Sequence, residues 1–146
     1  MFTTRRIHVE ETYQLRHEIL RPHQALEQCQ YPGDTDETTA HFGAFLSERI
    51  IGILSIYRVN SPKLAIPNGW QLRAMAVAEE ARGKGYALVL LRVAENYASS
   101  MGGGYIWANA RKIALGFYQN AGYEIRGDEF DIPDIGPHFL VCKEIA

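Results

Sequence analysis

Cysteine is nearly absent from this chain. Cys29 and Cys142 are the only two in 146 residues, and they stand far apart with no metal-type spacing between them. That excludes a disulfide-stapled scaffold and gives a metal site no support. The expectation is two reduced thiols in a cytoplasmic protein. A surplus of charge is lacking as well. The formal net charge is −2, and no basic patch interleaves with aromatics, so neither nucleic acid nor an anionic membrane is an expected partner. No apolar run is long enough to span a bilayer. The N-terminal MFTTRRIHVEE has no long apolar segment behind its arginines and does not read as a secretory signal. Internal repeats, low-complexity tracts and a G-x-x-x-x-G-K-[ST] phosphate loop are all missing. What is present is a hydrophobic content of 47%, ordinary for a globular protein, over a length that suits one domain spanning residues 1–146.

Periodicity divides the chain into short elements. Thr3–Val9 reads as a strand and Glu10–Arg21 as a helix stopped by Pro22. A short second helix near Gln24–Gln28 would precede the Pro32-Gly33-Asp34 turn. His41–Leu46 and Ile50–Val59 form a hairpin, and Ile50–Tyr57 is apolar on both faces, as a central strand is. Residues 61–68 are a proline-bearing loop. Trp70–Val77 is a strand, followed by a helix from Gly85 to near Ser99. Tyr105–Asn109 is a strand, Arg111–Ala121 a helix closed by Gly122, and Tyr123–Phe130 and His138–Lys143 are two last strands. This succession predicts an α/β fold on one mixed sheet.

The centre of the pattern is Trp70–Ala87, WQLRAMAVAEEARGKGYA. It runs from strand through a tight turn into a helix with apolar residues at Ala87, Leu90, Leu91, Ala94 and Ala98. The first N–H groups of such a helix lack chain partners, and with the helix dipole they attract an anion. Arg82 and Lys84 add cations, while Gly83 and Gly85 leave the backbone open to close approach. A dinucleotide fingerprint fails because Leu88 stands where a third glycine belongs.

Arg82-Gly83-Lys84-Gly85-Tyr86-Ala87 resembles the [Gln/Arg]-x-x-Gly-x-[Gly/Ala] signature of the GNAT N-acetyltransferases. The order of elements resembles that superfamily over nearly the whole chain. The stretch Glu129–His138 and Trp107-x-Asn109-Ala110-Arg111 are similar to the small bacterial ElaA/YjcF-like group. The resemblance implies a central mixed, mostly antiparallel sheet flanked by helices on both faces. It implies acetyl-coenzyme A as co-substrate, its pyrophosphate on Arg82, Gly83, Lys84, Gly85, Tyr86 and Ala87, and its pantetheine arm along the backbone of Met75, Ala76 and Val77. Asn109 would contact the cofactor and Tyr118, in FYQNAGY, would be the general acid. A homodimer is common in the superfamily.

Acetyl transfer also needs a route for the amine proton. His138 and Glu129 are the leading base candidates, with Asp131 and His41 also open. Asn109 equally suits a helix N-cap, and the lesser alternative for Tyr118 is core packing one turn from Ala114. Phe117 reads as core. Arg16, Arg21 and Arg73 could hold an anionic substrate, although a solvated helix face equally accounts for the first two and a sheet-edge carboxylate partner for Arg73. The acceptor side is expected from the first helix, the 61–68 loop and the 131–137 turn. The expected activity is acetyl transfer to a primary amine of a small molecule or peptide. The alternative is a non-catalytic acyl-coenzyme A-binding module on the same scaffold.

Overall fold

A strand with apolar side chains on both faces must be covered on both, and the segment read that way from sequence sits inside a sheet. The computed structural model describes residues 1–146. Its strands are β1 (Phe2–Ile7), β2 (Ala40–Leu46), β3 (Arg49–Tyr57), β4 (Gly69–Val77), β5 (Gly104–Arg111), β6 (Glu124–Ile125), β7 (Phe130–Ile132) and β8 (Gly136–Ile145). They form one sheet in the order β1-β2-β3-β4-β5-β8-β6, with β7 also on β8. Only β4 and β5 pair in parallel; every other ladder is antiparallel. The three α-helices are α1 (Tyr13–Leu15), α2 (Tyr86–Ser100) and α3 (Leu115–Asn120). None is long and apolar enough to cross a membrane.

The two-residue period of β3 shows which element covers which face. The space a Cβ on Gly52 would take lies 3.1 Å from Leu90 of α2. Phe42, paired with Leu54, meets Tyr97 of α2 edge-on at 5.8 Å. Gly52, Leu54 and Ile56 therefore face α2. Ser55 and Tyr57 point the other way, onto the first helical segment, where both accept from Arg16.

Five elements differ from the sequence reading. The first helix is a 3-10 turn (Val9–Thr12), then α1, then a π turn (Arg16–Leu20) closed by the Arg21 N–H on the Arg16 carbonyl. The wider turn begins at the residue whose side chain is driven wholly inside. β5 runs on to Arg111 because its ladder with β8 continues to the Arg111–His138 pair. The helix expected from Arg111 therefore starts only at Leu115, after a 3-10 turn at Lys112–Ala114. The expected strand Tyr123–Phe130 splits into β6 and β7 as the chain leaves β8 at Gly127-Asp128. The short helix expected near Gln24–Gln28 is a 3-10 turn at Leu26–Cys29.

Under the sheet lies a buried polar network. Arg16 is fully buried. Its Nη1 and Nη2 donate to Asp34 Oδ2 and Oδ1 at 2.8 and 3.0 Å. Nη1 also reaches the Cys29 carbonyl at 2.9 Å, and Nη2 reaches Ser55 Oγ and Tyr57 Oη. Arg16 Nε is the one buried side-chain polar atom without a partner. Burial pushes the Asp34 carboxyl up, but hydrogen bonds from Arg16, Tyr57 and the Tyr31 N–H, with the Arg16 charge, outweigh it and hold the group below its ordinary range. His41 is held the opposite way: burial disfavours its charged form and lowers it. The solvated helix face expected for Arg16 is thus a core ion pair. Cys29 and Cys142 are free and buried, and burial pushes both thiols up.

This network sets the acid stability of the fold. Truncating Asp34 leaves a buried guanidinium unpaired, so Asp34→Ala should lose about 3–5 kcal/mol in urea unfolding. Both titrations act in one direction. His41 stays neutral in the fold but takes a proton in the unfolded chain below its ordinary value of about 6.5. Asp34 contributes fully above its ordinary value, about 3.9, and loses that contribution as pH falls through its depressed folded value. Stability should therefore decline from pH 7 downward in two stages, and Asp34→Asn should flatten the lower one.

Candidate active site

The parallel pairing of β4 with β5 covers only Gly69–Gln71 against Tyr105–Trp107. Beyond it β4 continues to Val77 and β5 to Arg111 with no ladder between them. The divergence coincides with a bulge: the β3–β4 register shifts between Ile53 and Ser55, and Ala74 takes a left-handed φ of 58°. An extra residue in one strand bends it away from its neighbour. The edge of β4 that faces β5 is left without a strand partner from Leu72 to Val77.

The gap is a cleft of about 360 Å³ that passes through the sheet. Gln71 and Arg73 pair with Tyr57 and Ser55 and so share their face. Asn109, Arg111 and His138 line the same side of the cleft, as strand alternation from Trp107 and the Arg111–His138 pair require. Leu72, Ala108, Ala110, Phe117 and Tyr118 line it on the α2–α3 side. Tyr118 is 7% exposed, and its hydroxyl, which makes no hydrogen bond within the chain, is not among the buried unpaired atoms. Burial pushes its phenol up, so it stays protonated. His138 is buried, and its Nδ1 donates to the Gly136 carbonyl at 2.7 Å. That bond assigns the proton of a neutral ring to Nδ1 and leaves Nε2 with a lone pair.

On the α2–α3 side a second cavity, of about 420 Å³, adjoins the turn into α2. Gly83 and Gly85 have φ of 78° and 82°, and Gly85 is the N-cap. From Gly83 to Leu88 no backbone N–H donates to any acceptor in the chain. A Cβ added at Gly83 or Gly85 would meet nothing within 4 Å, so the surface above these donors is open. Arg82 turns its Nε onto the Val77 carbonyl at 3.0 Å and ties the loop to the end of β4. Lys84 is exposed, Ala87 lines the cavity, and the Tyr86 ring stacks on Phe2 at 4.3 Å. Free N–H groups, an oriented helix dipole and no obstructing side chain fit a pyrophosphate. Phe117 packs against the core as expected, and its partly exposed side also lines both cavities.

The residues singled out from sequence separate into two groups. Met75, Asn109, Tyr118, His138, Arg21 and Arg73 line the cleft; Val77 and the 82–87 loop line or adjoin the second cavity. Ala76 contributes backbone only, since its side chain is buried in the core. Asn109 lies within β5, so it is no N-cap. Glu129 lies outside the cleft and pairs with Lys112 at 3.0 Å on the surface. Asp131 is exposed and also outside. Both nitrogens of His41 are engaged, by Ser55 Oγ at 2.6 Å and the Asp34 carbonyl at 2.9 Å. The 61–68 loop takes no part in the cleft; Leu64 packs with Tyr105 and Trp107 elsewhere. Missed from sequence were Arg111, Gln71 and Tyr31. Arg111 alternates with Asn109 and Trp107, a signal hidden by ending the strand early. Tyr31 carries none.

Comparison with known proteins agrees with this geometry. Residues 4–123 match the model of the acetyltransferase (GNAT) family. A Bacillus subtilis (strain 168) protein named uncharacterized N-acetyltransferase YitI is 37% identical over 145 residues, 99% of this chain and 97% of that one. The crystal structure of Escherichia coli ElaA superposes with a TM-score of 0.70 at 18% identity, covering 99% of this chain and 100% of that chain. An aminoglycoside 6'-N-acetyltransferase complexed with coenzyme A superposes with a TM-score of 0.77 at 15% identity, over 99% and 97% of the two chains.

The bulge generates a prediction about backbone strain. A non-glycine residue in the left-handed region is strained by about 1–2 kcal/mol, and a β-branched side chain there by more. Ala74→Gly should change stability by less than about 1 kcal/mol, because relief of strain offsets the extra chain entropy. Ala74→Val should lower it by about 1–3 kcal/mol. Urea unfolding of both variants checks this; a Val variant as stable as the parent would remove the left-handed turn from the account.

Proposed function

Because this chain belongs to the acetyltransferase (GNAT) family, acyltransferases that use acetyl-coenzyme A, we propose that it acetylates a primary amine of a small molecule or peptide by direct transfer inside the through-sheet cleft. The observation that carries this reading is that the two cavities meet at Phe117, which lines both. The row of free N–H donors thereby neighbours a gap lined by a protonated phenol from one face of the sheet and by an imidazole from the other.

The donors from Gly83 to Leu88 would hold the pyrophosphate, with Arg82 and Lys84 beside them. The unpaired edge of β4 at Met75, Ala76 and Val77 would take the pantetheine amides as an added strand, and Asn109 would face them from β5. When bound, acetyl-coenzyme A supplies a thioester carbonyl carbon to which the amine nitrogen bonds as the carbon–sulfur bond breaks. His138 Nε2 accepts the proton that the amine nitrogen gives up. Tyr118 donates its phenolic proton to the leaving sulfur, the role for which burial keeps it protonated. Alignment of two reactants in one gap supplies much of the rate. No cysteine is needed for direct transfer, and the two unpaired thiols lead us to place the enzyme in a reducing cytoplasm.

Two substitutions test separate halves. Gly85→Val fills open space above the N–H donors, so coenzyme A affinity by calorimetry should fall at least about tenfold, by analogy with a lost charge-assisted hydrogen bond or two. Unchanged affinity in a folded Gly85→Val protein would reject the loop. Tyr118→Phe keeps the ring and removes the acid, so kcat should fall about 10²-fold, the lower end of the usual 10²–10⁴, with coenzyme A affinity nearly unchanged. Full kcat would return Tyr118 to a packing role.

A further inference from the structure

The cleft is polarised in charge. Arg21, Arg73 and Arg111 line it, and no aspartate or glutamate does. None of these three makes an ion pair or a side-chain hydrogen bond. That sets them apart from Arg16, which is neutralised by Asp34 a short way behind. Arg73 lies over the Tyr31 ring at 4.5 Å, and Arg21 approaches the same ring at 5.9 Å. Stacking of this kind uses the guanidinium face and leaves the N–H edge to bind in plane. Tyr31 is itself fixed, since its N–H donates to Asp34 at 2.8 Å and Arg16 lies over its ring at 4.3 Å. Two of the cations are therefore arranged around a ring anchored to the core, not scattered on a mobile surface.

These cations do not serve the cofactor phosphates. The free N–H row opens on the α2–α3 side of the sheet with Phe117, Asn120 and Ala121. Arg73 faces the opposite side with Ser55 and Tyr57, and Arg111 shares that side with His138. The arginines thus stand beside the imidazole that would take the amine proton. Resting on the acetyltransferase reading, we infer that the acceptor is an amine carrying its own anionic group, a carboxylate or a phosphate, which Arg73 and Arg111 bind while the amine is presented to His138. Arg21 closes the same mouth from the end of the π turn. An oxyanion matches the guanidinium fork in geometry as well as charge. A polycationic amine would meet three unneutralised positive charges in a partly enclosed cleft.

The test uses matched amines with acetyl-coenzyme A and the full chain, reading release of free coenzyme A. Each pair differs in one group: an amino acid against its amide, and phosphoethanolamine against ethanolamine, with spermidine as the cationic arm. The anionic member of at least one pair should have kcat/KM about 10–100-fold higher than its neutral partner, as loss of a charge-assisted hydrogen bond implies; which pair responds separates carboxylate from phosphate. Arg73→Gln and Arg111→Gln should each reduce that preference by a similar factor, mostly through KM, with Arg73→Lys recovering part of it. Binding of the same amines to the coenzyme A-loaded protein, by calorimetry, gives a second readout that does not need turnover. Coenzyme A binding and turnover of neutral or cationic amines with no anionic preference would overturn this assignment and leave the acetyltransferase reading intact. Anionic amines that neither bind nor turn over would overturn it too, and failure of coenzyme A itself to bind would instead sink the reading beneath it.

Discussion

The separation of β4 from β5 after Gln71 is the constraint on which the rest depends. A continuous ladder would close the sheet, leave no unpaired backbone on β4 and shut the path between its faces. The bulge at Ala74 opens it by inserting one residue against β3, so the strand keeps its inner partner while turning away from its outer one. The backbone strain at Ala74 lies in the lining of the cleft, and strain of this kind commonly clusters at functional sites. Every proposed function of the cleft follows from that opening: backbone for an extended arm, a passage between the two faces, and side chains from both faces within one space.

The buried Arg16–Asp34 pair supports the opening from behind. Desolvating an ion pair gives little net stability unless its remaining donors and lone pairs are satisfied. Here the Cys29 carbonyl, Ser55 and Tyr57 accept from Arg16, and the Tyr31 N–H donates to Asp34. The result ties the irregular segment after the first helix to the middle of the sheet. That segment has little apolar surface of its own, with Leu26 among the exposed apolar residues. Its placement therefore rests on polar geometry, which fixes Tyr31 and through it the stacked guanidinium of Arg73. A network that looks structural is also what positions the charge of the cleft.

Much was legible before any coordinates. The alternation in Trp70–Val77, the helical spacing from Ala87 and the glycines at 83 and 85 located the loop whose N–H groups have no acceptor in the chain, because these are local properties. The hairpin and the doubly covered β3 followed from short-range periodicity as well. Misreadings cluster where two local tendencies compete. Asn109 to Ala114 has residues that suit a helix start, but the ladder to β8 holds the chain extended through Arg111. Glu129 stands in a suggestive stretch, yet its carboxylate pairs on the surface with Lys112. Phe117 packs against the core as its sequence context implies, but that it also borders two cavities depends on strands far away in sequence.

By itself, the sequence determined the family pattern, the order of strands and helices, and the loop whose backbone is left free, since each depends on neighbours a few residues apart. Only the tertiary structure decided which arginine is neutralised and which are free, which of four base candidates reaches the cleft, and that Ala74 bends β4. Arg16, Arg21 and Arg73 are the same residue type on nearby segments. Their difference lies in a carboxylate eighteen residues beyond Arg16 that the fold brings to within 2.8 Å of one and not of the others. Charge state, burial and opposition across a gap are properties of distances between segments, and no local spacing encodes them.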